Sequence, residues 1–595
     1  MIEDLPPSAE IDLVMRPTLL LATLVAALAF AGSASAGNPF GVTLVRFSPD
    51  TTPAQMWATV DSAGGVVVTD LSRIHALGVV PRSKTFAARM AASKAVTAYF
   101  QDSFLTTERG SDERHRTGRV PDGGPGDGNG GFVADPWHDL GSFYGVTNPE
   151  GILQWDDGRM NMPAAWKQTT GDDSIDVAVL DTGVQENHRE LRSVLDPSLG
   201  GNFIPCEDLK ALFGLGVIDR AGLRDCRDGD FEGHGTWVAS RIAGASNGFA
   251  SNGVAPGVRL GSYKVLAAGL GGLSSWILSG LVAACSDPRI DVVNMSIEGY
   301  MNPDDPFDVA DYLLFMDAVD YCRSKGVSVF AAAGNEHVRV DRVDLDLGGR
   351  QLEDVGRVSL GSEGIATVSP GSESLDDYDL GGWLSVPGGI PGVTMVSATA
   401  NAIGAAPADV PLRWRSHLGA RDQLAYYSNY GSRVDLAAPG GARRYQIPGY
   451  DGGDGDILYG GWGSFGALSD RGLICSDPFA SSLFNSACFS VSGQSFGWLQ
   501  GTSMSAPNAA GVAALVLSAL PDLRGRPEAL EHRLEQSARH DLTNFMGPND
   551  PVSTAVALDG TPCDTGYCHV SQSNPIGFDD AYGAGLVDAG AAVGR

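Results

Sequence analysis

The strongest constraint on the fold is a series of short, mostly apolar segments separated by longer amphipathic ones, which starts near Trp137. Helical patterns lie between most of the apolar segments, among them Ser275–Cys285 and Val309–Lys325. Apolar strands separated by helices are typical of a parallel sheet covered on both faces. The sequence therefore predicts an α/β fold with a mainly parallel sheet. The predicted strands are Ile175–Leu180, Arg259–Leu266, Asp291–Ile297, Val327–Ala333 and Val393–Ala398.

Polar residues follow two of these strands directly. Asp181 comes after the first strand, in "AVLDTG", and Asn335 comes after the fourth, in "FAAAGN". Ligands of parallel sheets bind at the carboxyl ends of the strands, so both side chains are expected at one edge. Between them lies His234, which is flanked by glycines and followed by a helical pattern. Each of these residues alone could have a structural role. Three polar residues that one sheet topology brings to the same edge indicate a functional site.

A fourth polar residue, Ser503, lies in "GTSMSAPNAAG" at the head of an apolar helical pattern. A serine in this position is either an ordinary helix cap or a nucleophile. Acyl transfer needs a hydroxyl nucleophile, a base, a carboxylate that orients the base, and donors for the oxyanion. Ser503, His234, Asp181 and Asn335 supply these four groups in turn. Because these other three groups are present in the chain, the sequence favours Ser503 as a nucleophile over Ser503 as a helix cap.

The motifs that carry these residues resemble those of the subtilase family of serine endopeptidases. They are "VAVLDTGVQENHREL", "GHGTWVASRIAG", "AAAGNE" and "GTSMSAPNAAG", in the family's order, and the resemblance covers most of Trp137–Val593. It implies a subtilisin-like three-layer sandwich that hydrolyses protein or peptide substrates through an acyl-enzyme on Ser503. It also implies that the chemistry requires no cofactor.

The resemblance further implies that the substrate lies extended between two edge strands, as in β-augmentation. Glu298 stands where the family usually has a small residue, and Glu336 follows Asn335 at the wall of the first specificity pocket. These two carboxylates either favour a basic side chain before the scissile bond or are simply solvated. The residues predicted to bind substrate are Gly271, Gly272, Leu273, Ser296, Ile297, Glu298, Ala332, Ala333, Gly334 and Glu336.

A structural calcium site is also implied by the resemblance. The loop "ASNGFASNGVAP" keeps the family's spacing from His234. Asn247 and the carbonyls of Phe249 and Ser251 are the loop ligands, and Glu190 matches the family's carboxylate. Hard oxygen ligands suit Ca²⁺. The alternative is a turn rich in Asn and Gly that binds no metal.

The N-terminal part is predicted to contain processing segments. Residues 1–36 are typical of a secretory signal cleaved after Ala36, with translation starting at Met1 or at Met15, and a membrane anchor is the alternative. Residues 37–108 resemble the family's inhibitory propeptide, an intramolecular inhibitor, with an unrelated accessory domain as the alternative. Residues 109–136 are a charged, Gly- and Pro-rich linker. Residues 137–595 form the peptidase domain, with insertions near 206–230, 337–390 and 442–497.

The net charge and the cysteine count indicate which partners and which cellular compartment to expect. The formal net charge of −30 opposes binding to nucleic acid. An exported chain with eight cysteines is expected to form disulfides. Proximity suggests the pairs Cys206–Cys226, Cys475–Cys488 and Cys563–Cys568, which leaves Cys285 and Cys322, although other pairings remain open. We expect a monomer without a stable membrane span that is secreted or held in the cell envelope.

Two other functions are alternatives to a peptidase. The segment "GQSFG" matches the nucleophile elbow of α/β-hydrolases and would make Ser495 the nucleophile of an esterase, but the required acid and histidine do not follow it. A catalytically silent binding protein with the same fold is the second alternative. Asn508, where subtilases commonly have a histidine, is interpreted as a packing change.

Overall fold

The computed structural model describes residues 41–105, 154–206, 210, 229–269, 271–336, 338–359, 367–368, 378–400, 423–425, 427–441, 463–476, 487–540, 542 and 577–594. The predicted signal segment and linker lie outside these residues. So do Cys226, Cys563, Cys568 and parts of the three predicted insertions.

The first described unit is a small α+β domain, as predicted. Its four strands form an antiparallel sheet in the order β2-β3-β1-β4. The first helix begins with a capping box, since the Thr52 hydroxyl accepts from the backbone N–H of Gln55 and the Gln55 side chain accepts from that of Thr52. The elements are β1 (Thr43–Phe47), α1 (Pro53–Ala63), β2 (Gly65–Leu71), β3 (Ala76–Pro81), α2 (Phe86–Ala92), β4 (Val96–Gln101) and β5 (Phe104–Leu105).

The rest of the described chain is built around one eight-stranded sheet in the order β19-β18-β12-β10-β6-β8-β7, with β20 paired to β18. The strands are β6 (Asp176–Asp181), β7 (Leu195–Asn202), β8 (Arg259–Lys264), β9 (Gly272–Leu273), β10 (Ile290–Met295), β11 (Gly299–Met301), β12 (Ser328–Ala332), β13 (Val340–Leu347), β14 (Arg350–Val358), β15 (Thr367–Val368), β16 (Tyr378–Asp379), β17 (Leu384–Val386), β18 (Val393–Ala400), β19 (Gln423–Leu424), β20 (Leu436–Pro439), β21 (Ser464–Leu468), β22 (Ala487–Val491) and β23 (Gln494–Leu499). The helices are α3 (Trp155–Arg159), α4 (Met162–Trp166), α5 (His234–Ala243), α6 (Ser274–Ser286), α7 (Pro306–Ser324), α8 (Leu473–Ser476), α9 (Thr502–Ala519), α10 (Pro527–Ser537), α11 (Phe578–Tyr582) and α12 (Ala589–Val593).

Alternation along the central strands produces three layers. On β6, Val177 and Val179 belong to one buried core, whereas Ala178 and Leu180 belong to another. Helices α5 and α9 contribute to the first core, and α6 and α7 contribute to the second. Since successive side chains of a strand point to opposite faces, the sheet lies between the two helical layers. The predicted α/β sandwich with a mainly parallel sheet is confirmed.

The described parts of two predicted insertions carry small sheets beside this sandwich. In 337–390, β13 and β14 form a hairpin that joins β17 and β11. In 442–497, β21, β23 and β22 form an antiparallel sheet in that order. Ser495 lies within β23 and pairs with Leu468 and Ser490. The nucleophile-elbow alternative is therefore wrong, because such a serine needs a strand-to-helix turn.

Two of the four suggested disulfides are confirmed. Cys475 is bonded to Cys488 beside the small sheet β21-β23-β22. Cys285 is bonded to Cys322, with the two Cα atoms 5.0 Å apart. The second bond joins helices α6 and α7, which lie on the same side of the central sheet.

The N-terminal unit rests on these two helices. Arg46 forms an ion pair with Asp317 of α7 at 2.5 Å, and Arg73 donates to the Tyr321 hydroxyl at 2.9 Å. The carboxylate of Asp102 accepts from the backbone N–H of Ser275 at 3.0 Å, in the first turn of α6. The unit is thus bonded to both helices.

A search of the described residues for a membrane-crossing helix finds none of sufficient length and apolarity.

Candidate active site

Asp181 is the last residue of β6 and is fully buried. Its Oδ1 atom accepts from the backbone N–H of Thr182 at 2.7 Å. The chain then turns at Gly183, which has a φ of 100°. A Cβ atom there would lie 2.6 Å from the carbonyl oxygen of Gly229, so glycine is required by both backbone conformation and space.

His234 is the first residue of α5 and lies against Asp181. Its Nδ1 atom is 2.8 Å from Oδ1 and 3.0 Å from Oδ2 of that carboxylate. Both side chains are almost completely buried. The neighbouring glycine explains this approach, because a Cβ atom on Gly235 would lie 2.1 Å from the carbonyl oxygen of Gly183. The sequence predicted both residues of this pair.

Ser503 lies in the first turn of α9 and is fully buried. The cap position is occupied by Gly501, so the serine is inside the helix and is not its cap. Its hydroxyl donates to the carbonyl of Ser296 at 3.3 Å, and the Ser296 hydroxyl donates to the carbonyl of Ser503 at 2.8 Å. These two bonds tie the start of α9 to the end of β10.

Asn335 follows β12 and is held to the same helix start. Its Oδ1 atom accepts from the backbone N–H of Thr502 at 2.9 Å and from the Thr502 hydroxyl at 3.1 Å. The Thr502 hydroxyl also accepts from the backbone N–H of Gly334 at 3.1 Å. The structure therefore brings Asn335 and Ser503 together through Thr502. The role of Thr502 was not predicted, although the sequence places it next to the candidate nucleophile.

One of the two predicted substrate edges is a strand. Gly272 and Leu273 form β9, which pairs antiparallel with Phe104 and Leu105 of the N-terminal unit. Gly271 bridges to Ala267 instead.

The other predicted edge differs from the expectation. Strand β10 ends at Met295, and Ser296 and Ile297 lie outside any strand. The side chain and carbonyl of Ser296 instead bond to Ser503. Ala332 ends β12, and Ala333 and Gly334 connect it to Asn335.

The two predicted pocket carboxylates lie together beside Asn335. Glu298 is buried, and its Oε2 atom accepts from the Asn335 amide at 3.1 Å. Glu336 accepts from the Tyr300 hydroxyl and from the backbone N–H of Asn335, and it is hydrogen-bonded to Glu298. Burial raises the pKa of Glu336 above its ordinary value. Glu298 is therefore not solvated, whereas Glu336 is half-buried. Tyr300 was not singled out in the sequence.

A further buried acid lies close to the histidine. Glu232 precedes His234 by two residues, and its Oε2 atom accepts from the backbone N–H of Gly269 at 2.9 Å. Burial raises the pKa of Glu232 to about 7, against the opposing effect of His234.

The predicted calcium ligands lie together but bond to one another. Glu190 accepts from the backbone N–H groups of Ala250 and Ser251, each at 2.9 Å, and from the Asn247 amide at 3.0 Å. Calcium needs several oxygen atoms that converge on one point. Because the Glu190 oxygens face N–H groups, these residues as arranged do not fit calcium, although the carbonyls of Phe249 and Ser251 lie in the same loop. Within the described ranges, no group of three or more His, Cys, Asp or Glu side chains could hold a metal ion.

Asn508 packs in a buried polar cluster around Arg241. Its Oδ1 atom accepts from Arg241 at 2.9 Å, and its Nδ2 atom donates to the carbonyl of Pro439 at 2.9 Å. Arg241 is fully buried and also pairs with Asp156 and Asp157. These contacts support the interpretation of Asn508 as a packing change.

Comparison with known proteins identifies the class. Residues 172–585 match the model of the Subtilase family. Subtilisin NAT from Bacillus subtilis subsp. natto is 25% identical over 402 residues, which cover 68% of this chain and 69% of the relative. The crystal structure of the Epidermin Leader Peptide Processing Serine Protease from Staphylococcus aureus aligns with a TM-score of 0.56 and 17% identity, and covers 93% of this chain and 97% of its own. Fervidolysin from Fervidobacterium pennivorans aligns with a TM-score of 0.50 and 17% identity, over 93% of this chain and 61% of its own.

The family match covers more than half of the chain. The chain therefore belongs to the subtilase family and is a serine peptidase, a hydrolase whose catalysis needs no cofactor.

Proposed function

We propose that the protein is an exported endopeptidase, made as an autoprocessed precursor, that cuts peptide bonds through an acyl-enzyme on Ser503. His234 is the general base, Asp181 orients it, and Asn335 donates to the oxyanion. The observation that carries this proposal is the buried contact between the Nδ1 atom of His234 and the Asp181 carboxylate, at 2.8 and 3.0 Å.

That contact defines the proton path. A carboxylate beside Nδ1 keeps the proton on that nitrogen, so Nε2 presents a lone pair as base. It takes the proton of the Ser503 hydroxyl while Oγ bonds to the substrate carbonyl carbon. The proton then passes to the leaving amine as the C–N bond breaks. Water, activated in the same way, hydrolyses the resulting ester and restores Ser503.

Negative charge that develops on the substrate carbonyl oxygen needs preorganised donors. The Asn335 amide supplies one, and its Oδ1 atom is fixed by two bonds to Thr502. The N-terminus of α9 adds its partial positive charge at Ser503.

We further propose that residues 37–108 are an inhibitory propeptide. Support comes from the pairing of Phe104 and Leu105 with β9, the strand predicted to bind substrate. A peptide segment held there by backbone bonds would exclude substrate from the same edge. The full burial of Ser503 in the precursor agrees with a closed site. Export through the predicted signal would bring the processed, monomeric enzyme outside the cell or into the envelope.

A serine-directed fluorophosphonate tests the proposal. We expect the mature wild-type protein to be labelled and Ser503→Ala to remain unlabelled, because the reagent reacts with an activated serine. On a gel, Ser503→Ala should accumulate as uncut precursor. Equal absence of label in both proteins would favour a silent binding protein with this fold. Normal processing of Ser503→Ala would show that another protease matures the chain.

A further inference from the structure

The side-chain amide of Asn335 is held at both of its ends. The oxygen accepts two hydrogen bonds from Thr502, and the nitrogen donates to Glu298 at 3.1 Å. An amide nitrogen has two N–H groups, so one remains for a substrate oxyanion when the other is bonded to Glu298. Glu298 therefore fixes the plane of the amide from the side opposite Thr502.

The carboxylate that performs this task is part of an acid pair. Glu298 is hydrogen-bonded to Glu336, which contacts Tyr300, Asn335 and Asn429 as its other described partners. Two carboxylates in contact repel each other strongly when both are ionised, so a shared proton or a nearby cation stabilises the pair.

The position of this pair relative to a bound peptide is given by the N-terminal unit. Its last described strand pairs with β9, and its Leu105 side chain reaches Gly299, next to Glu298. A Cβ atom on Gly299 would lie only 2.2 Å from Leu105 Cδ2. A peptide chain along this edge thus passes directly beside the acid pair.

We propose that Glu298 is a positioning residue that holds the amide of Asn335, and that its charge makes the enzyme prefer substrates with Arg or Lys before the scissile bond. This assignment rests on the proposed function. The sequence predicted, as one of two alternatives, only that a basic substrate residue is favoured. The contact between Glu298 and Asn335 links that preference to the residue that donates to the oxyanion.

The positioning of Asn335 and the preference for a cationic substrate side chain are linked through the charge of Glu298. The oxyanion and the Glu298 carboxylate both accept from one nitrogen, so they lie within about 6 Å of each other. An ionised Glu298 would oppose the charge that develops in the transition state. A cationic substrate side chain next to the acid pair removes this opposition, whereas an uncharged side chain leaves it in place.

Two variants of the full chain, matured normally, separate the roles. Glu298→Gln keeps an oxygen acceptor for Asn335 and removes the charge, whereas Glu298→Ala removes both. Glu353→Gln is the matched control, since Glu353 is exposed on β14. Each protein is assayed on two peptides that differ only in arginine or norleucine before the cut. Rates are expressed per fluorophosphonate-labelled site, so unfolded protein does not count.

We expect Glu298→Ala to lose at least about tenfold in kcat on the norleucine peptide with little change in KM, as for a lost transition-state contact. Glu298→Gln should keep at least the wild-type kcat on this peptide, because it keeps an oxygen acceptor for Asn335 and removes the opposing charge. It should lose at least about tenfold of the preference for arginine in kcat/KM.

Wild-type kcat in Glu298→Ala would overturn the positioning role. An unchanged arginine preference in Glu298→Gln would overturn the charge role. In both cases a labelled, active wild-type protein leaves the proposed function standing. A wild-type protein that neither labels nor cleaves would overturn both proposals.

Discussion

At the scale of single residues, Thr502 connects the loop after β12 with the start of α9. Its hydroxyl accepts from Gly334 and donates to Asn335, both at 3.1 Å, and its backbone N–H donates to Asn335 at 2.9 Å. The side chain is fully buried. The loop after β12 and the start of α9 therefore share one hydroxyl group.

Thr502→Val should lower kcat because it removes that hydroxyl and keeps the side-chain shape. The hydroxyl makes two buried hydrogen bonds, and loss of the one to Asn335 corresponds to about 1 kcal/mol, or roughly fivefold in rate. The measurement is kcat per labelled active site on a fixed peptide. Thr502→Ser is the matched control and should retain turnover. Wild-type turnover in the valine variant would show that the Thr502 hydroxyl is not needed to hold Asn335.

The sequence was most informative where chemistry depends on backbone placement. Asp181, His234, Asn335 and Ser503 could be predicted because strand ends, flanking glycines and a helix start fix their positions. The contact between Glu298 and Asn335 could not, since it depends on the conformations of two side chains from different elements. The calcium prediction relied on loop length, which does not determine whether Glu190 faces oxygen atoms or N–H groups.

At the scale of elements, the first turn of α6 obtains its cap from another unit. Asp102 accepts from the backbone N–H of Ser275, and the carbonyl of Ser103 accepts from that of Ser274 at 2.7 Å. Orphan N–H groups of a helix start are normally satisfied by a residue just before the helix. Here the N-terminal unit satisfies them, so docking and helix stability are coupled.

Asp102→Ala should increase amide hydrogen exchange at Ser275, because its N–H group loses an acceptor. A missing cap costs about 1 kcal/mol, which corresponds to roughly fivefold faster exchange. The experiment uses the full-length Ser503→Ala chain so that the two units stay joined. Asp61→Ala, an exposed change in α1, is the control and should leave exchange in α6 unaltered. Equal exchange with and without Asp102 would contradict the capping role.

At the scale of the whole molecule, buried acids govern the response to pH. Burial raises the pKa values of Glu190, Glu232 and Asp311 to about 7, from ordinary values of 4.5, 4.5 and 3.8. Between about pH 4.5 and 7 the folded state therefore binds more protons than the unfolded state. The free energy of unfolding should fall as pH rises through this window. His188 acts in the opposite direction, because burial lowers its pKa to about 4.

We expect the Tm of the Ser503→Ala precursor to be higher at pH 5 than at pH 8, since the effect of the buried acids with raised pKa values, Asp157 and Asp308 included, exceeds that of His188. Relief of repulsion within a chain of formal net charge −30 acts in the same direction. Calorimetry at constant ionic strength measures the difference, and Glu190→Gln should reduce it. A Tm that rises from pH 5 to pH 8 would contradict the assignment of these pKa values.

The bond between Cys285 and Cys322 would form at a defined stage in the maturation of the proposed precursor. It joins the two helices that carry the N-terminal unit, and it closes a loop across 37 positions of the chain. Thiols stay reduced in the cytosol and oxidise after export. A chain still inside the cell would hold this pair of helices by packing alone. If the chain is exported as proposed, the bond would then fix this docking face covalently. The fixed face would persist after removal of the N-terminal unit, so a detached unit would still find the same surface to bind.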